Sequence, residues 1–257
     1  MPAPATTIDE VLSALTEIIE NARRDASRLG YFASLYRRVT QTVKDDIAAG
    51  KFQNGSLVER LDVTFANRYL DALARFQAGQ TPTLSWLAAF QTADDSHPLI
   101  LQQLLLGINA HINLDLGIAT AVVAPGDQLP GIKPDFDRIN DVLATLVGTV
   151  ENEIGAVSPA IHLLEERGLR TETTLINFSL DKARAQAWAT AQKFAVLPAG
   201  QVPQATARLD GDVSLLAKAI AHPPPPIDAV VDLIRVPESN DVPHVIDVLG
   251  GPAATAT

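Results

Sequence analysis

The stretch Leu104-Leu-Leu-Gly-Ile-Asn-Ala-His-Ile-Asn-Leu-Asp-Leu-Gly-Ile-Ala-Thr-Ala121 decides how this chain folds. It is apolar enough to suggest a membrane span, yet it holds Asn109, His111, Asn113 and Asp115. An ionised aspartate at the centre of a bilayer costs about 2.5–3.5 kcal/mol. No cluster of Lys or Arg flanks the stretch to orient it in a membrane. A helix that is apolar on every side also suits the middle of a helical bundle. The reading is therefore an all-α fold: a single globular helical bundle around a central buried helix over about 98–123, with no membrane span. Inside such a bundle each of the four polar groups needs a partner, since unpaired burial costs about 1–3 kcal/mol.

Helical signals continue on both sides. Thr7-Ile-Asp-Glu10 has the form of a capping box, and Ile8, Val11, Leu12, Leu15, Ile18 and Ile19 follow at helical spacing. Tyr31, Phe32, Leu35, Tyr36, Val39 and Val43 mark the apolar side of a second helix, which Gly50–Gly55 breaks. Ser56-Leu-Val-Glu59 reads as another capping box, opening a helix to about Phe76. Pro82, Pro98, Pro134 and Pro159 each suit a helix start, where the missing N–H has no intrahelical partner to lose. A segment capped near Thr171 runs to Leu197. Asp210–Ile220 and Ile227–Val236 read as two more helices, separated by the prolines of 223–226. These elements predict one helical domain over 1–236 and a partly extended C-terminal tail over 237–257.

Composition narrows the function classes. Of 257 residues, 47% are hydrophobic, ample for a sizeable core. Acidic side chains outnumber basic ones 30 to 20, and the formal charge of -10 argues against nucleic acid as a partner. Cysteine is absent, which removes disulfides, thiolate nucleophiles and sulfur-ligated metals. The opening MPAPATTIDEVL lacks a basic region followed by an apolar one, so a cytoplasmic location is expected. There is no phosphate-binding Gly-rich loop, nucleophile elbow or His-Glu-x-x-His pair.

The chemistry that remains lies on the central helix. At 100° per residue Asn109 and Asn113 share one face, and His111 and Asp115 share nearly the opposite one. A His-x-x-x-Asp pair can ligate one divalent ion such as Zn, Mn or Fe. It can equally be a buried hydrogen-bonded pair that keeps helices in register. The helix around Glu59-Arg-Leu-Asp-Val-Thr-Phe-Ala-Asn-Arg68 is the best source of partners. Glu59 and Asp62 share a face at i,i+3 and could complete a metal shell, while Glu59 also suits the helix cap. Asn67 and Arg68 need not share that face.

Two blocks, Arg60-Leu-Asp-Val-Thr-Phe-Ala-Asn-Arg-Tyr-Leu-Asp-Ala-Leu73 and Leu104-Leu-Leu-Gly-Ile-Asn-Ala-His-Ile-Asn-Leu-Asp-Leu116, resemble a bacterial protein family of unknown function over about residues 28–195. The resemblance implies that Asp62, Asn67, Arg68, His111, Asn113 and Asp115 belong to one signature. It carries no activity. A remoter likeness, through His111 and Asp115 alone, is to the zinc-dependent phospholipase C and P1-nuclease group. Here Leu116–Ala121 stands where that group has a further histidine, and the chain begins Met1-Pro2 rather than with its ligating Trp. The expectation is a binding or structural protein with a buried polar cluster of Asp62, Asn67, Arg68, Asn109 and Asn113, able to take a small-molecule ligand. The alternative is a metal-dependent hydrolase, of which a phosphoesterase is one form, with His111 and Asp115 as ligands and Glu59 as a third.

Overall fold

The structure, a computed structural model, describes residues 3–163 and 180–251, with only the backbone at 140, 144–149 and 151. The described residues form helices and no strands. They are α1 (Ile8–Arg24), α2 (Leu29–Ala48), α3 (Gly55–Gln77), α4 (Leu84–Ala93), α5 (Ile100–Val123), α6 (Leu129–Val157), α7 (Leu180–Phe194), α8 (Val202–Ala221), α9 (Ile227–Arg235) and α10 (Val242–Gly250). The fold is all-α, a single globular bundle with α5 at its centre. Helix α5 packs against α2, α3, α4, α7 and α8.

Among the described residues, α5 is long and apolar enough to cross a membrane by length and composition. Inside the bundle 78% of its most apolar window is buried. Two glycines let its neighbours come close. A Cβ at Gly107 would lie 2.5 Å from the Phe32 ring of α2, and one at Gly117 would lie 2.5 Å from the Ala187 carbonyl of α7. Between them, Asn109–Leu116 is a π-helix, flanked by α-helical turns. Such segments are rare and occur often at functional sites.

Buried side chains fix the helix ends around α5. The Asp210 carboxylate of α8 accepts from the Leu84 and Ser85 amides at 2.6 and 3.0 Å, capping α4 and setting the position of Trp86. The Gln102 side chain accepts from the Leu99 amide, and Glu238 from that of Ile100, so the start of α5 is capped by two side chains. Asp135 of α6 accepts from the Gln53 and Asn54 amides and pins the turn before α3.

Several boundaries differ from the sequence reading. Thr7 does cap α1, accepting from the Glu10 amide at 3.2 Å, and the Glu10 carboxylate reaches one residue further back, accepting from the Thr6 amide at 2.6 Å. Asn54, not Ser56, caps α3, because its side chain reaches the Leu57 amide at 3.1 Å. Pro134 lies inside α6, whose first turn holds Pro130 instead. The stretch around Pro203 is already helical, since a proline in the first turn of α8 gives up no intrahelical bond. The expected tail carries α10, whose Val242, Val245, Ile246 and Leu249 are buried against α2 and α6. Its apolar residues recur at helical spacing, and Asp241 caps it through the His244 amide. The expected cap at Thr171 lies outside the described residues.

Candidate functional site

Helix α3 brings Arg68 and α4 brings Trp86 to one carboxylate of α5. Arg68 Nε donates to Asp115 Oδ1 at 2.6 Å, and Trp86 Nε1 donates to Asp115 Oδ2 at 2.7 Å. Asp115 is buried, and Trp86 is held against Phe90 with ring centroids 5.2 Å apart. Burial raises the Asp115 carboxyl above its ordinary value, while the Arg68 charge and the two hydrogen bonds pull it back. No described residue accepts from the terminal nitrogens of Arg68. Its side chain is 28% exposed.

This triad forms the floor of a groove of about 1430 Å³ between α1 and the second half of α3. Ala14, Ile18 and Ala22 line one wall, and Leu70, Leu73 and Ala74 the other. Residues 3–6 cross one end. Asn67 holds them there, accepting from the Ala5 amide and donating to the Ala5 carbonyl, both at 2.8 Å. The lining includes five acidic side chains, Glu10, Glu17, Asp25, Asp71 and Asp115, and two basic ones, Arg68 and Arg75. Both arginines are ion-paired, with Asp115 and Asp71 respectively.

His111 belongs to a different environment. Its ring stacks on Phe65 at 3.5 Å and 13° and meets the edge of Tyr36 at 4.3 Å. Phe32, Tyr69 and Trp86 complete the aromatic shell. Neither ring nitrogen has a hydrogen-bond partner among the described residues. Burial, and then the Arg68 charge, push the imidazole well below its ordinary value, so it is neutral. Asp62 is also buried, and its Oδ2 is unpartnered. Burial first, and the charge of Glu59 second, raise it to about 7.

The signature residues therefore separate. Arg68 and Asp115 meet each other. Asn113 donates to Asn109 Oδ1 at 2.9 Å, and Asn109 donates to the Val213 carbonyl at 3.1 Å, tying α5 to α8. His111 and Asp115 do not pair, because the carboxylate is taken by Arg68 and Trp86 while the imidazole is enclosed by aromatic rings. Glu59 points to the start of α1, accepting from the Ile8 amide at 3.4 Å. Among the described residues no three His, Asp or Glu side chains converge as a metal-binding set.

Sequence reasoning missed Trp86, Tyr36 and Thr40. Trp86 carried a signal: a large indole in an apolar helix needs an acceptor for its N–H when buried. Tyr36 and Thr40, four apart on α2, share one helix face.

Fold and site together define an all-helical protein whose core helix carries a buried polar network beside an open groove. The chain belongs to a family of unknown function (DUF5995), which matches over residues 8–223. No curated protein and no solved structure matches it, so the likeness to the zinc-dependent phospholipase C and P1-nuclease group gains no support from relatives.

Proposed function

We propose that this protein is a binding protein whose α1–α3 groove takes a small molecule with an apolar body and a neutral hydrogen-bond acceptor. The observation that carries the reading is Arg68 at the groove floor, fixed by Asp115 with its terminal N–H groups left to donate. Arginine can only donate, so the ligand must accept. Its charge is already neutralised by Asp115, and the remaining lining is acidic, which disfavours an anion. A carbonyl, ether or hydroxyl oxygen fits both conditions. The walls of Ala, Ile and Leu suit an apolar body. Helix α5 is read as the core helix of a water-soluble bundle, supported by its burial against five neighbouring helices. The acidic balance of the chain supports the absence of a nucleic-acid partner.

The test uses Trp86 as the reporter. Replacing Trp188 by Phe leaves Trp86 as the remaining tryptophan. A panel of small neutral ketones, amides and alcohols is then titrated against its emission, with ligand-observed magnetic resonance as the second readout. Saturable binding that weakens about tenfold in Arg68→Lys is expected, since lysine keeps the charge for Asp115 and loses the guanidinium fork. Equal affinity in Arg68→Lys, or no binder in the panel, would count against the reading.

A further inference from the structure

A second polar locus lies away from the groove, where α2, α3 and the π-helical part of α5 meet. It contains Tyr36 and Thr40 from α2, Asp62 from α3 and His111 from α5. All four residues are buried. Five of their polar atoms have no hydrogen-bond partner among the described residues: the Tyr36 hydroxyl, Thr40 Oγ1, Asp62 Oδ2 and both nitrogens of His111. The residues adjoin one another around Tyr36. The Tyr36 and His111 ring centroids are 4.3 Å apart. Burial raises the Tyr36 hydroxyl well above its ordinary value, the Asp62 charge adds to the rise, and the nearby Thr40 hydroxyl opposes it. Phe65, one turn beyond Asp62, stacks on His111. Phe32, Phe65 and Tyr69 surround the Tyr36 and His111 rings.

We propose that Tyr36, Thr40, Asp62 and His111 form an internal site for a small neutral polar guest, an ordered water in the ligand-free protein, hydrogen-bonded between α2, α3 and α5. The chemistry of the donor set selects such a guest. The two hydroxyls can each donate and accept, and a neutral imidazole offers one N–H and one lone pair. A guest that does both satisfies the set, and water does so with two to four bonds. A divalent cation would need more anionic or imidazole ligands than one carboxyl and one histidine. Leaving five such atoms unpaired would cost far more than immobilising a water. None of the four residues lines the groove.

The sign of two near-isosteric substitutions tests the proposal. Thr40→Val and Tyr36→Phe each delete one hydroxyl with little change of shape. If the hydroxyls bind a guest, each variant loses a hydrogen bond, and the folding equilibrium constant falls about 3- to 10-fold in urea titrations. The double variant should then lose less than the product of the two factors, because both act through one guest. An unchanged or increased constant in both single variants would overturn the proposal, since a dry locus is relieved by losing an unpaired hydroxyl. If either variant fails to fold, water–protein cross-relaxation on the parent decides. Long-lived water signals to the His111 ring and the Tyr36 ring support the site, and their absence refutes it.

Discussion

Asp62 and Asp115 are two carboxylates buried in one bundle, and they are treated differently. Asp115 receives a guanidinium and an indole N–H, one on each oxygen. Asp62 keeps an oxygen that no described residue contacts by hydrogen bond. Burial pushes both carboxyls upward. At Asp115 the Arg68 charge and the hydrogen bonds from Arg68 and Trp86 pull the other way, whereas at Asp62 the neighbouring Glu59 adds to the rise. The difference separates a finished network, which holds α3, α4 and α5 together at the groove floor, from an unfinished one, which needs a guest or a proton. A polar group in a core thus reports on function less by its presence than by whether its neighbours complete it.

The comparison breaks most sharply at Asp115. Replacing it by Ala leaves Arg68 without its anion and Trp86 Nε1 without an acceptor. Removing one partner of a buried charged pair is far costlier than the pair is worth. A loss of about 3 kcal/mol is expected in urea denaturation at neutral pH. A loss below about 1 kcal/mol would mean that the triad is not the tie between these three helices.

Asp62→Asn should act in the opposite direction. Burial pushes the folded carboxyl up to about 7, above its ordinary value of 3.8. A raised acid binds its proton more tightly in the folded state. Its contribution to stability is therefore present below pH 3.8 and is lost as the pH rises to about 7. The amide removes this slope. Above neutrality the variant should exceed the parent in stability by about 2 kcal/mol, a figure below the full linkage value because burial relaxes in practice. Stability measured from pH 4 to 8 checks it, and parallel curves for parent and variant would show that Asp62 does not titrate in this window.

How much of this was legible in the sequence varied with the kind of residue. The central helix was readable because apolarity on all sides has few explanations. The buried state of Asn109, His111 and Asp115 followed from it. Asn109 and Asn113 were placed together correctly, since an i,i+4 contact is local. The partner of Asp115 was not legible, because three helices of different sequence position converge there. Helical spacing put His111 beside Asp115, but spacing says nothing of competition: Arg68 and Trp86 take the carboxylate, and Phe65 and Tyr36 take the ring. Helix α10 was hidden by prolines at 237 and 243, the second of which sits harmlessly in its first turn.

The smallest expected effect lies at the mouth of the groove and asks how far the finished side extends. Asn67 adjoins Arg68 in sequence, yet serves another task. Its amide makes two hydrogen bonds to the main chain of Ala5, copying the pairing of a β-bridge. These bonds hold residues 3–6, which contribute part of the groove lining. Asn67→Ala removes both, but the site is only part-buried, so water can replace what is lost. About 1 kcal/mol of stability should go. Hydrogen exchange is the sharper measurement: the Ala5 amide should lose its protection while the amides of α3 keep theirs. Retained protection at Ala5 would mean that the segment is held by other contacts, so that the groove end does not depend on Asn67.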